Sequence, residues 1–300
     1  MNQPWGLREA VGNQPRLDPD RSADTGLSPA KRRLLRERFA TRELTGHEWI
    51  AATLREIGIT HVYGVSGTPI HETLARCSDA GVRPIGVRHQ HSGVLAALAQ
   101  NYLGGGMRGA PIFSAGPAVT NGVTGALFAR DNCWPLLALG GRRPLRQSGI
   151  GQFQDLDAVP IFAPVTKHAG IVSATSDIPQ ALHEAARIAM HGRPGPVYLD
   201  VADEALNGLS PKPALGEGAN LGSLPEPSEE SIVQAAELLR RAMRPAVIFG
   251  KGVRWNDAFV ELRALVEALG APFIASPMGR GLLPDDHPLA FTEVSGAVQS

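Results

Sequence analysis

The sequence predicts an α/β protein: a doubly wound parallel sheet followed by a partial second α/β domain. Three observations lead there. Short apolar segments alternate with segments of helical periodicity from Thr45 to Val201, the pattern of βα units joined by right-handed crossovers. Glycine- and proline-bearing turns follow several of the short segments, where a strand hands over to a helix. After a stretch rich in Pro, Gly and Ser at 207–228, the alternation restarts at Glu229.

Composition bounds the rest. A chain of 300 residues can bury a sizeable core and suggests about two domains. Lys plus Arg and Asp plus Glu both number 29, so no net field points to nucleic acid or a membrane surface. Hydrophobic residues make up 43% and aromatic residues only 5%, which fits an aliphatic core between helices and sheet. Two cysteines, Cys77 and Cys133, are too few for a disulfide framework and suit a reducing cytoplasm. No long apolar run and no charged-then-apolar start occurs, so neither a membrane span nor a secretion signal is expected.

Residues 1–42 read as a disordered leader and a short basic helix. Up to residue 26 the leader mixes Pro, Gly, Asp, Asn and Arg without periodicity. Ser28 and Pro29 then offer an N-cap and a first-turn proline, and five basic residues between Lys31 and Arg38 surround Leu34, Leu35 and Phe39. Such a helix either packs one apolar edge on the main body or docks onto a larger assembly.

The doubly wound domain is expected over 43–206. Thr45 and Glu48 have capping-box spacing, and Ile50, Leu54 and Ile57 share a face of the helix that follows. A strand at 61–65 leads through Gly67, Thr68 and Pro69 into a helix passing Leu74. A strand at 85–87 leads into a helix bearing Val94, Leu95, Ala97, Leu98 and Tyr102. The strand at 111–113 ends in the turn Ser114-Ala115-Gly116-Pro117 and a helix to Ala129. The almost wholly apolar run at 134–139 reads as a strand covered on both faces. A helix at 178–190 and a strand at 196–201 complete the series.

Residues 207–228 are expected to be a linker, and 229–300 an incomplete central domain. Its elements are a helix at 229–243, a strand at 246–249, the turn Gly250-Lys251-Gly252, a helix at 259–269 and a strand at 272–275. More strands are needed to bury both faces of such a sheet. The expectation is a fragment or a subunit completed by something else.

Four blocks carry the chemistry. They are His61-Val62-Tyr63-Gly64-Val65-Ser66-Gly67-Thr68-Pro69; Val87-Arg88-His89-Gln90-His91; Ser114-Ala115-Gly116-Pro117-Ala118-Val119-Thr120-Asn121-Gly122; and His191-Gly192-Arg193-Pro194-Gly195-Pro196-Val197-Tyr198-Leu199-Asp200. Together they resemble the pyrimidine-binding domain of thiamine-diphosphate-dependent enzymes, and the likeness extends over residues 45–295. The tract Asp131-Asn132-Cys133-Trp134-Pro135-Leu136-Leu137 and the spacing from Arg88 to Tyr102 are most similar to 2-hydroxyacyl-CoA lyases and oxalyl-CoA decarboxylases, with acetolactate synthases close behind.

The resemblance implies a cofactor, thiamine diphosphate, whose aminopyrimidine N1′ faces a carboxylic acid. That contact favours the imino tautomer, which removes the thiazolium C2 proton, so the acid must give and take a proton. Here the acid position holds Gln90, which can donate an N–H but cannot exchange a proton. Three readings stay open: a subunit that binds the cofactor without activating it, an unusual enzyme in which His91 or water substitutes, or a plain amide in a domain without cofactor binding. His89 and His91 lack a third ligand, so no metal is assigned to them.

Further roles follow from the same resemblance. Gly67 and Thr68 would approach the pyrimidine by main chain, since glycine permits close contact. Pro117 and Asn121 would shape the turn that faces the cofactor of a neighbouring chain, although a tight βα turn explains Gly116 and Pro117 equally well. Gln154 and Lys167 match positions lining the substrate entrance in acetolactate-type relatives; taken alone they read as surface polar groups. Arg142 and Arg143, at a strand's carboxyl end, are expected to meet a phosphate or carboxylate or to be solvated. The Gly250-Lys251-Gly252 turn resembles the domain where relatives hold FAD or ADP, but one glycine-rich turn predicts neither.

One motif is missing. The family fixes Mg2+ and the diphosphate with Gly-Asp-Gly followed by Asn-Asn, and neither occurs in this sequence. The expectation is therefore the pyrimidine-domain subunit of a split decarboxylase, lyase or carboligase. A partner chain carrying the diphosphate-binding domain would supply Mg2+, in a hetero- or homo-oligomer. The alternatives are a regulatory or scaffold relative that keeps the fold without activation, and a truncated product.

Overall fold

The structure, a computed structural model, describes residues 43–211 and 226–291. The expected leader, the basic helix and residues 212–225 of the expected linker lie outside the described residues.

A two-residue strand, β1 (Leu44–Thr45), runs straight into α1 (Gly46–Ile57). The Thr45 hydroxyl accepts from the Glu48 N–H, and the Glu48 carboxylate accepts from the Thr45 N–H at 3.0 Å, which closes the capping box read from the sequence. Then come β2 (His61–Gly64), α2 (His71–Asp79), β3 (Arg83–Gly86) and α3 (Gln90–Leu103). They are followed by β4 (Gly109–Phe113), α4 (Pro117–Thr120), α5 (Val123–Asp131) and β5 (Leu136–Arg142). The unit continues with α6 (Val159–Phe162), β6 (His168–Val172), α7 (Ile178–Met190) and β7 (Pro196–Ala202). Last are α8 (Asp203–Asn207) and β8 (Leu209–Ser210).

Six strands form one parallel sheet in the order β3-β2-β4-β5-β7-β6. β4, β5 and β7 are buried along their whole length, as expected for strands covered on both faces. One face packs on α1 and α7 through Trp49, Ile50, Leu54, Ile178 and Leu182. The other packs on α3, α5 and α6 through Val94, Leu98, Ala126, Phe162 and Tyr198. The doubly wound parallel sheet predicted from the sequence is the observed architecture.

Three details differ from expectation. The helix expected from Pro117 to Ala129 is broken at Asn121 and Gly122. A Cβ at Gly122 would stand 2.5 Å from the Phe113 ring, so the chain can bend there only without a side chain. Strand β6 was not expected: it is an edge strand whose sole buried residue is Val172, and it carries Gly170. Leu209 and Ser210, placed in the expected linker, instead form β8 and pair antiparallel with Leu44 and Thr45. The Trp49 indole N–H reinforces this clasp by donating to the Ser210 carbonyl at 3.2 Å.

The second unit comprises α9 (Glu229–Arg241), β9 (Val247–Phe249), α10 (Gly252–Trp255), α11 (Phe259–Leu269) and β10 (Phe273–Ala275). β9 and β10 pair in parallel over a small core of Phe249, Leu262, Val266, Phe273 and Leu283. α9 buries none of its residues. Tyr102 of α3 meets this unit. Its hydroxyl donates to the Met278 carbonyl at 3.0 Å, its ring stacks on Trp134 and stands edge-on to Trp255, and the Arg254 guanidinium lies 4.9 Å above it.

Candidate functional site at the switch point of the sheet

Where strand order reverses in an open parallel sheet, the connections leave in opposite directions and open a crevice at the carboxyl ends. Here the chain runs from β2 outward to β3, then returns past β2 to β4, so the crevice lies between β2 and β4. The turns after these strands are tied together, the Ala115 N–H donating to the Thr68 carbonyl at 3.0 Å. A Cβ at Gly67 would come 2.9 Å from the Ser114 side chain, so glycine allows the approach. Gly116 takes φ 66, and a Cβ on it would meet Gln154 at 2.9 Å. The loop after β5 is thereby brought against the same turn.

Gln90 opens α3 from the end of β3, after His89, whose ring nitrogen caps the helix by accepting from the His91 N–H at 3.2 Å. Its side chain is 8% exposed. Its Oε1 accepts from Nδ2 of Asn121 at 3.0 Å, across 31 residues of sequence. Among the described residues Nε2 of Gln90 has no partner. Nδ1 of neighbouring His91 is also enclosed without one.

The carboxyl edge of the sheet therefore gathers Gly67, Thr68, Gln90, His91, Pro117, Asn121 and Gln154. Lys167 is not among them. It precedes β6 at the amino edge, where Nζ donates to the carbonyls of Ile188 and His191 at the end of α7. A cation suits those orphan carbonyls. Burial, and then the nearby Arg187, hold its pKa below the usual lysine value.

Arg142 meets carboxylates, one of the two alternatives expected for it, but they belong to the chain itself. At 7% exposure it donates to Asp157 at 2.8 Å and to Asp200 at 3.3 Å. The Tyr198 hydroxyl donates to the other Asp200 oxygen at 3.0 Å. Burial raises the Asp200 pKa to about 6 even though Tyr198 and Arg142 act to lower it. Asp157 belongs to the loop that carries Gln154, so this ion pair fixes that loop to the sheet. The Asp closing the fourth sequence block was a signal for it, because a carboxylate ending a buried strand needs a partner.

The Gly250-Lys251-Gly252 turn borders a cavity of about 480 Å³, with Cys133, Met190, Arg193 and Trp255 on its walls. Among the described residues no helix is long and apolar enough to cross a membrane.

Comparison with known proteins bears on this edge. Residues 44–161 match the family model for the N-terminal TPP binding domain of thiamine pyrophosphate enzymes, and residues 232–300 match the model for their central domain. A 2-hydroxyacyl-CoA lyase of Oryza sativa is 35% identical over 264 residues, 84% of this chain and 46% of the relative. An acetolactate synthase large subunit of Mycobacterium tuberculosis is 32% identical over 244 residues, 81% of this chain and 44% of the relative. Oxalyl-CoA decarboxylase of Escherichia coli is 33% identical over 261 residues, 82% of this chain and 44% of the relative. The chain thus spans less than half the length of each. Two consecutive family domains, and relatives a third identical over more than four-fifths of the chain, make it a member of the thiamine-diphosphate-dependent family of lyases, synthases and decarboxylases.

Proposed function

We propose that this chain supplies the pyrimidine-binding half of a thiamine-diphosphate enzyme, and that a partner chain supplies the diphosphate and Mg2+ half. Substrates would be 2-oxo acids or 2-hydroxyacyl- and oxalyl-CoA-like compounds, with a C–C bond broken or formed beside a carbonyl. The observation that carries the proposal is Gln90, buried at the crevice with one amide end bonded to Asn121 and the other end without a protein partner.

The residues fit the cofactor at one end. The unpartnered Nε2 of Gln90 suits a ring nitrogen acceptor. The diphosphate end finds no match here. Gly-Asp-Gly and Asn-Asn are missing from the sequence, and no cluster of three or more His, Cys, Asp or Glu side chains among the described residues could hold a metal ion. When bound, thiamine diphosphate supplies a carbanion nucleophile. This chain's residues bind the ring, orient it and shield it from water, while Gln90 presents an N–H that it cannot give up.

That last property favours a second reading, in which the chain is a regulatory or scaffold relative that holds the cofactor without activating it. One experiment separates the two. The chain is co-purified with a chain bearing Gly-Asp-Gly and Asn-Asn, loaded with thiamine diphosphate and Mg2+, and C2 proton exchange is followed by NMR. Slow exchange in the wild type, raised about 10²–10⁴-fold in Gln90→Glu, supports the scaffold reading. Fast exchange already in the wild type supports the enzyme. No cofactor binding by the mixture, or exchange equally slow in both proteins, would sink the assignment of Gln90 to the cofactor site.

A further inference from the structure

We infer that Asn121 is a positioning residue for Gln90, and that it turns the buried polar group of the crevice into a hydrogen-bond donor only. This rests on the pyrimidine-site reading and specifies what the site offers its ligand. Gln90 is largely buried and can turn its amide only two ways, so the neighbour that claims one end decides what the other presents. Asn121 claims the oxygen, its Nδ2 donating to Oε1 at 3.0 Å. Nε2, with two N–H bonds and no acceptor among the described residues, is what remains.

Asn121 is itself held by the chain around it. Its backbone N–H donates to the Pro117 carbonyl at 3.1 Å, closing the single turn of α4. Gly116 on one side packs against Gln154, and Gly122 on the other packs against the Phe113 ring. The break between α4 and α5, unexpected from the sequence, is what aims this side chain back at α3.

A carboxylic acid in place of Gln90 would accept from Asn121 with one oxygen and carry a proton on the other. Gln90 keeps the first half of that arrangement and replaces the second with a permanent N–H. The site therefore selects a ring nitrogen in its unprotonated state. Asn121→Asp reverses the polarity. A new carboxylate can only accept, so it draws Nε2 toward itself and leaves Oε1 facing the crevice, acceptor against acceptor.

The test uses the full chain labelled with 15N, with the Gln90 side-chain resonances identified by their loss in Gln90→Glu. In the wild type one Asn121 NH₂ proton should lie downfield, as a bonded amide proton does, and the two Gln90 NH₂ protons should not. In Asn121→Asp a Gln90 NH₂ proton should move downfield. Thiamine is then titrated as the probe. Affinity should fall in the order wild type, Asn121→Ser, Asn121→Asp, the last weaker than wild type by about tenfold or more, the cost of an unmatched buried acceptor. Adding Gln90→Glu to Asn121→Asp should restore binding at acid pH, where both carboxyls are protonated, one bonding the other while the second presents its own O–H to the crevice, and lose it as pH rises. A merely structural role would weaken Asn121→Ser and Asn121→Asp alike and give no such pH profile. A downfield-shifted Gln90 NH₂ proton in the wild type would overturn the inference, as would unchanged affinity in Asn121→Asp. If neither the wild type nor its mixture with the partner chain binds thiamine, the pyrimidine-site reading falls, and the resonances still decide the orientation.

Discussion

Asp200 ties the buried network under the crevice to pH. An isolated aspartate titrates at 3.8, whereas burial lifts Asp200 to about 6 in the fold. Between those values the folded chain holds a proton that the unfolded chain has released. The contribution of this group to stability therefore falls as pH rises through the window and is level above it. Asp200→Asn should flatten that part of the curve, read as the difference in melting temperature between variant and wild type across the window; parallel curves would contradict it. Glu204 and Glu267, held below their ordinary values, act in the opposite sense, which is why the difference is the readout. At this scale the sequence was informative in patches. Gln90 stood out because a family motif surrounds it. Its bond to Asn121 did not, because the two are far apart in sequence and meet only when the strand order of the sheet is known. Lys167 meets the same limit: its position in the chain says nothing about which edge of the sheet it occupies.

Elements with a strong local signal are where the sequence predicted them. α1 has its capping box, α7 a continuous apolar face and α11 a clear amphipathic pattern, and each needs only its own residues to be recognised. Thr45→Ala removes the cap and should cost about 1 kcal/mol, measured by urea denaturation at neutral pH. A value near zero would mean that α1 is held by packing alone. Elements decided by distant contacts were harder to read. β5 was placed too early because Trp134 and Pro135 look like strand residues, while its true carboxyl end is Gly140, Gly141 and Arg142. Those glycines are there for clearance: a Cβ on Gly140 would collide with the Tyr198 hydroxyl, and one on Gly141 with Ile70 and Pro69. β6, with a single buried residue, has no alternation to detect.

Across the whole molecule the two units meet through few but specific contacts. Tyr102 sits at their centre, between Trp134 on one side and Trp255 and Arg254 on the other. Tyr102→Ala should remove at least about 1 kcal/mol of coupling between them. Differential scanning calorimetry would then show the second unit melting ahead of the first. A single unchanged transition would mean that the bonds from the Arg254 guanidinium to the Tyr102 and Leu103 carbonyls suffice. The doubly wound architecture was legible throughout, because alternation of period and glycine turns is a global signal. The exposed face of α9, with Ile232, Val233 and Leu238 open, follows from how little sheet lies beside it. The clasp between β1 and β8 has a consequence of another kind. It sets Leu44 opposite Ser210, as near as neighbouring strands allow, so the chain enters and leaves the first unit at one point. A short peptide could bridge those ends and new termini be opened at a surface turn, which makes the crevice-bearing unit a natural cassette for circular permutation or transplantation into another host protein.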